Sequence, residues 1–407
     1  MNRAEYLSHH WTSYPAMPSE VKVAGRIYKI EREEGLKLQL IRDEKIHKVS
    51  FQIAPPHSEH LIEGDLVAVT SAEEIVLLSP QLTALPLRHF DKVFLQEWSA
   101  YLNQIREFFK KKEFVEVKTP SLVRCPGTEP SLDVFTTLLV QGSRQERLYL
   151  PTSPELHLKK ALALGGEKIF ELAPCFRNGE ITQRHQPEFL MLEWYRAYEA
   201  LPAIKDDVVA LIGHMVKFLN VAAPVSVHTY SVAELFKIYC DFDFTPQTSA
   251  IDLKNLADRL EVDVQSAESI DDLFFLIFME KIESQLPPED LVFVEKYPPY
   301  QAALARLTED GWGDRFEAYW KGLELANAFN ELNDPYVQRH RAQEDLNKKK
   351  ESHREPVSLD EEFFRCLEAG MPPSAGIALG VERLYMALKG ISDIEDLRLF
   401  PQLNLRW

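Results

Sequence analysis

Between Phe176 and Glu199 the chain reads FRNGEITQRHQPEFLMLEWYRAYE, which brings an arginine, a histidine, an aromatic ring and a carboxylate close together in sequence. From Glu188 to Arg196 the alternation of residue types predicts a strand. Phe189, Met191, Glu193 and Tyr195 then share one face, and Leu190, Leu192 and Trp194 share the other, which is a core face. A buried carboxylate is costly unless it is paired. Glu193 therefore calls for a cation, either a Lys or Arg of the chain or a cationic ligand. Phe176 and Arg177 stand on a preceding strand, and Asn178 to Pro187 form the hairpin loop, with Gly179 for its bend. An arginine beside such a loop commonly holds phosphate. The chemistry these residues suggest is that of a nucleotide and an amine.

Two further segments add to this set. GIALGVERLYMAL, from Gly376 to Leu388, reads as a short apolar strand, a turn at Gly380 and a helix with Arg383 in its first turn, an arrangement that favours an anion. KGLELANAFNELND, from Lys321 to Asp334, places Glu324 and Glu331 on a polar and aromatic strand, and carboxylates beside phosphates suggest magnesium. In a regular strand these two glutamates face opposite sides. Sharing one metal requires a bulge between them, near Ala326. Ser153, Pro154 and Glu155 suit a helix start as well as they suit a ligand. His185 fits either the site or a solvated loop.

These segments resemble motif 2, motif 3 and the metal-binding strand of class II aminoacyl-tRNA synthetases of the lysyl group. The helix VFLQEWSAYLNQIREFFKKKEF, with VEVKTPSL after it, resembles motif 1, which builds the homodimer in that family. LEWYR, TSPE followed by LHLKK, ANAF and YPPYQAAL are closest to the elongation factor P (R)-beta-lysine ligase family. The resemblance implies an α+β fold, a class II catalytic domain whose antiparallel sheet is flanked by helices. It also implies ATP-dependent activation of lysine or (R)-beta-lysine as an aminoacyl adenylate, with transfer to a lysine of elongation factor P. A lysine tRNA ligase and a catalytically silent binding protein are the alternatives, and tRNA is the less favoured acceptor.

Carried onto this chain, the resemblance puts Arg177 between carboxylate and α-phosphate. Phe189 stacks on adenine with Arg383 on its other face, and Asn178, Glu180 and His185 lie along the nucleotide. Glu324 and Glu331 hold Mg2+. Ser153 and Glu155 take the substrate's amino group, Glu193 and Tyr195 take its side-chain ammonium, and Asn327 and Phe329 line the pocket. One departure stands in motif 2, where Gly179 replaces the usual acid and Glu180 follows one residue later; a shift of loop register lets Glu180 do the same work. Ala326, where the tRNA enzymes carry glycine, is expected to reshape the pocket by one methyl, a change of about 1–3 kcal/mol.

With 407 residues the chain exceeds one ordinary domain. Residues 1–82 contain five short strand patterns and are expected to form an OB-like β-barrel, with residues 83–407 as the catalytic domain and Pro80 to Val93 joining them. A net charge of -17 excludes broad non-specific nucleic-acid binding while leaving room for a local basic patch. Cys125, Cys175, Cys240 and Cys366 are widely spaced and suggest neither a zinc site nor disulfides. Without an apolar leader or a long apolar run, the protein is expected to be cytoplasmic and away from membranes. Residues 201 to 290 carry helical periodicity, and the charge-rich Gln343 to Pro356 reads as a solvated helix end or loop.

Overall fold

The computed structural model describes residues 3–10, 18, 20–33, 35–42, 45–82 and 92–400. Most of the expected joining segment, Pro80 to Val93, lies outside them. The chain divides into Met1–Ala100 and Tyr101–Trp407.

The first unit opens with α1 (Arg3–His10), followed by β1 (Val21–Glu31), β2 (Leu36–Arg42), β3 (Lys45–Phe51), β4 (Leu66–Thr70) and β5 (Ile75–Ser79). All five expected strands form, in one antiparallel sheet of order β3-β2-β1-β4-β5. Ile27, Leu36, Leu38, Leu40, Val67 and Val69 make its core. Asp65 is fully buried and is held by Arg3 and by the backbone N–H groups of Ile62 and Gln81. The expected OB-like barrel does not form. Closure requires the two edge strands to pair, and β3 and β5 remain edges of an open sheet. The composition of β3 explains this. Phe51 and Val49 pair with Leu36 and Leu38 on the core face, but the next two positions on that face are His47 and Lys45. They give a barrel interior nothing apolar to bury.

The second unit takes up α2 (Lys92–Lys111) from Tyr101 onward and continues with β6 (Val115–Glu116), the hairpin β7 (Thr136–Gln141) and β8 (Arg144–Tyr149), α3 (Glu155–Ala163), β9 (Lys168–Phe176) and β10 (Glu188–Ala197). Then come α4 (Leu201–Leu219), β11 (Val227–Ser231), α5 (Val232–Cys240), α6 (Ala250–Leu260), α7 (Ile270–Lys281), β12 (Leu291–Tyr297), β13 (Gly313–Trp320) and β14 (Leu323–Asn330). The last elements are α8 (Pro335–Glu351), α9 (Glu361–Gly370), β15 (Ser374–Gly380) and α10 (Val381–Lys389). Eight strands form one sheet of order β11-β12-β13-β14-β15-β10-β9-β6, antiparallel except at its two outer pairs. This is the expected α+β catalytic architecture.

On one face of the sheet Leu192 and Trp194 are fully buried, and Phe109 of α2 packs on Phe170 and Trp194 with ring centroids 4.8 and 5.2 Å away. α4 and α10 share this side, and Tyr101 donates a hydrogen bond of 3.0 Å to the Val381 carbonyl. The other face is covered only in part. α3 and α9 bury Ile169, Tyr195 and Ala197, while α5, α6 and α7 stand on Val292, Val294 and Tyr319. Ser231, Ser249 and Ser269 begin these last three helices, each with a capping box. An uncovered strip across β9, β10, β15 and β14 is left between the two groups. β11 is a strand inside the region whose periodicity reads as helical, because its pairing with β12 overrides local preference.

Asp207 of α4 ties the site strand to the core face. It is buried, accepts two hydrogen bonds from Arg196 of β10 at 2.6 and 2.9 Å, and accepts a third from Lys112 at 2.7 Å. Removing one partner of such a group leaves the others unmatched. Asp207→Ala should lower the unfolding free energy by about 3–5 kcal/mol in urea; a change below about 1 kcal/mol would show that the strand is held by packing alone.

Candidate active site

Register places the chemistry. Glu193 of β10 pairs with Ala378 of β15, which pairs with Asn327 of β14; one row along, Tyr195, Gly376 and Phe329 line up in the same way. Directly paired residues share a face. The middle strand therefore contributes only a hydrogen and a methyl between two walls of larger side chains. A side chain at position 376 would not fit, since its Cβ would lie 2.2 Å from the Tyr195 ring and 2.5 Å from Glu331 Oε1. Ala326 pairs with Leu379, whose other partner is the core residue Leu192. Its methyl points away from the pocket, contrary to expectation, and Ala378 supplies the methyl on the pocket face.

Glu193 is buried and pairs with no Lys or Arg among the described residues. Ser153 Oγ donates to its Oε1 at 2.5 Å and Tyr195 OH to its Oε2 at 3.1 Å. Ser153 also accepts from the Glu155 backbone N–H at 3.0 Å, so it serves the helix start and the pocket together. Lys159, one turn along α3 and fully buried, reaches Glu155 at 2.5 Å and Glu331 at 2.6 Å. Burial would lower the pKa of this lysine, but the two carboxylates hold it above the usual value. Glu331 Oε1 has no hydrogen-bond partner among the described residues, and burial pushes the acid up to about 8 against the pull of Lys159. Glu193 is likewise pushed up to about 8, by burial first and Glu155 second. One buried lysine thus serves two acids, Glu155 and Glu331, and Glu193 stands beside them.

The second group of predicted residues lies toward the other end of the strip. The Arg177 guanidinium stands over the Phe189 ring at 5.2 Å, with Glu180 at 3.8 Å. Gly179 has a φ of +82° and open space around its missing side chain, and the Asn178 N–H donates to the Asp133 carbonyl at 3.0 Å. Arg383 meets Glu324 through the carbonyl at 3.0 Å and the carboxylate at 3.3 Å, and meets His185 through Nε2. Arginine only donates, so Nε2 accepts and Nδ1–H donates to Thr182 Oγ1 at 2.9 Å, which fixes the tautomer. Burial, with Arg383 adding to it, pushes the His185 pKa down to about 4, and the ring is neutral at pH 7. Leu325 is skipped in the pairing of β13 with β14, and this bulge puts Glu324 on the same face as Asn327, Phe329 and Glu331. Glu324 nonetheless meets Arg383 and Glu331 meets Lys159. Asn327 Oδ1 accepts from Arg315 Nε at 2.9 Å, and Arg315 also lies 5.6 Å from the Phe329 ring.

The family model for tRNA synthetases class II (D, K and N) matches residues 85–404. The chain belongs to this class II synthetase family. Among the relatives, the elongation factor P--(R)-beta-lysine ligase of Avibacterium paragallinarum is 36% identical over 304 residues, covering 73% of this chain and 91% of that protein. The ligase of the same name from Haemophilus influenzae (strain PittGG) is 35% identical, with shares of 73% and 91%. That from Proteus mirabilis (strain HI4320) is 35% identical, with shares of 74% and 92%. Class II synthetases use ATP, and this chain is an ATP-dependent ligase that forms an aminoacyl adenylate. Among the described residues no helix is long and apolar enough to cross a membrane.

Lys159 and Gly376 carry no role in the sequence reading, although both stand in segments it singles out. Glu155 and Lys159 at i and i+4 in TSPELHLKK are the local signal for the lysine. Gly376 gives none, since the need for a bare backbone arises only from the strands beside it. Glu382 is also new. It is buried and accepts the Leu190 N–H on both oxygens at 3.0 Å, which holds β10 where Phe189 leaves the sheet.

Glu193 predicts a pH dependence of stability. Its folded pKa of about 8 lies above that of an unfolded carboxyl. The proton it retains stabilises the fold fully below the unfolded value, and that stabilisation is lost as the pH rises toward 8. Urea unfolding of the ligand-free protein should show stability falling between pH 5 and 8, and Glu193→Gln should reduce the fall. An equal fall in both proteins would refute the assignment.

Proposed function

We propose that the chain activates (R)-beta-lysine, or lysine, with ATP and transfers the acyl group to a lysine of elongation factor P. The observation that carries this reading is Glu193, buried with two hydroxyl donors and no cation among the described residues while Lys159 is already shared by Glu155 and Glu331. A ligand with a side-chain ammonium supplies the missing charge. In this reading Glu193 and Tyr195 receive that ammonium, Ser153 and Glu155 receive the second amino group, and Asn327 and Phe329 line the space between. The substrate carboxylate then points to Arg177, which also reaches the α-phosphate.

At the nucleotide end Phe189 stacks on adenine, with Arg383 on its other face and extending to the outer phosphates beside His185, Asn178 and Glu180. Arg177 now covers the ring of Phe189, so adenine requires the guanidinium to swing away toward phosphate. Glu324, beside Arg383 and His185, suits a magnesium ion at the nucleotide end; Glu331 shares its face through the bulge at Leu325 but lies about 20 Å further along the strand, with Lys159, and serves the amino-acid pocket. A magnesium ion beside Glu324 neutralises phosphate charge. The chain's own part is positioning and electrostatic stabilisation, since no protein nucleophile is needed. Motif 1, with its helix α2, supports a homodimer, and a reaction using ATP and a translation factor fits a protein of the cytoplasm. Residues 1–82 are a module separate from the catalytic domain.

The test offers ATP with (R)-beta-lysine or lysine, elongation factor P in one tube and lysine tRNA in another, and reads the intact mass of each acceptor. A mass gain on the protein alone is expected; charged tRNA with unmodified factor would sink the reading. Glu193→Gln should slow amino-acid-dependent pyrophosphate exchange by about 100-fold or more, the scale of about 3 kcal/mol. Wild-type exchange in that variant would remove the ammonium from this pocket.

A further inference from the structure

A cavity of about 920 Å³ opens from the amino-acid pocket. It begins at Ser153, Glu155, Asn327 and Phe329, and it continues between α7 and α8 past Asp271 and Asp345. A lysine-sized substrate needs only the inner end. Of the charged side chains that line it, eight are acidic and three basic. Such a wall repels a phosphodiester chain and draws in an ammonium group.

Glu129 lines the junction of cavity and pocket, where its carboxylate feels the charges of Glu155 of α3, Arg177 after β9 and Lys349 of α8. Apart from its own backbone N–H, no described residue holds its carboxylate. The loop that carries it is firmly placed. Lys349, itself buried, donates to the carbonyls of Glu129 and Leu132 at 3.1 and 2.7 Å, and Arg354 pairs with Asp133 at 2.7 Å. The charge-rich segment after Gln343 is thus a loop anchor as well as a helix end. Burial, followed by the charge of Glu155, raises the Glu129 pKa and makes it a better base.

We propose that this cavity is the entrance for the acceptor's primary amine and that Glu129 is the catalytic base which deprotonates it. The inference rests on the function proposed above and extends it to the second step. A lysine side chain arrives as an ammonium. Glu129 takes one proton, and the freed lone pair attacks the acyl carbon of the adenylate. The C–N bond forms, the bond from acyl carbon to phosphate oxygen breaks, and AMP leaves with the electron pair. The nitrogen releases its second proton to water as the amide forms.

The two steps are measured separately on the full chain, exchange with ATP and the amino acid, and transfer to elongation factor P by intact mass. Glu129→Gln should lower the ratio of transfer to exchange by about 100-fold, the scale of general base catalysis, with Glu129→Asp intermediate. An unchanged ratio would overturn the assignment, as would an equal loss in both steps. Absence of exchange in the unmodified enzyme would instead overturn the parent reading and this one with it. Transfer to lysine tRNA in place of the protein would show that the acidic wall selects no amine.

Discussion

The catalytic unit is organised around a cluster of buried acids that outnumber the cations paired with them among the described residues. Glu155, Glu193 and Glu331 converge on the covered end of the strip, where the buried Lys159 pairs with Glu155 and Glu331 and leaves Glu193 to hydroxyl donors. Desolvated carboxylates in such numbers are unfavourable unless protonated or paired. Ser153 and Tyr195 give Glu193 two hydrogen bonds, which orient it without neutralising it. Gly376 leaves the volume in which a ligand can complete the pairing. A site that gives up stability in this way suits the external cation proposed for it.

The fold makes this possible by covering one face of the sheet fully and the other only at its ends. Trp194 and Glu193 are neighbours in sequence, yet one is packed against Phe109 and the other looks into the pocket. That division depends on the register of β10 between β9 and β15. The register is secured from several directions: Glu382 grips the Leu190 N–H, Asp207 grips Arg196, and seven consecutive pairs join β10 to β15. A slip by one residue would send Glu193 into the aromatic core.

Much of this was legible in the sequence, and its limits have physical reasons. The period-two strand from Glu188 and the turn at Gly380 follow from residue types and local spacing, whereas the contacts of Arg177 with Phe189 and Glu180 emerge only in the structure. The need for a bulge between Glu324 and Glu331 follows from parity alone, and it occurs at Leu325, next to the anticipated Ala326. Properties that depend on the neighbouring strand were hidden. Ala326 and Ala378 look equally able to shape a pocket until their partners are known, and pairing with Leu379 turns Ala326 away. In the first unit all five strands could be read, but closure depended on whether β3 and β5 would meet. The two polar positions at the start of β3 that argue against it, Lys45 and His47, look like an ordinary solvent face until Leu40 is seen opposite His47.

The two ends of the strip make opposite electrostatic demands, and the chain meets them by opposite means. At the pocket end carboxylates outnumber cations and wait for a positive ligand. At the other end Arg177 and Arg383, the proposed phosphate ligands, are each held by a glutamate, Glu180 or Glu324. His185 has a particular place in this balance. Kept neutral, it can accept from Arg383 and hold the guanidinium without adding a second positive charge, which it would do if protonated. An amino acid with a side-chain ammonium is a dipole on the length scale of this strip. On the proposed assignment its carboxylate is drawn to Arg177 and its ammonium to Glu193, so the field of the site selects the orientation that brings the carboxylate to the phosphate. Orientation rather than covalent participation is what such a site supplies, and it accounts for charged residues concentrated along a sheet face that packing alone would have filled with apolar side chains.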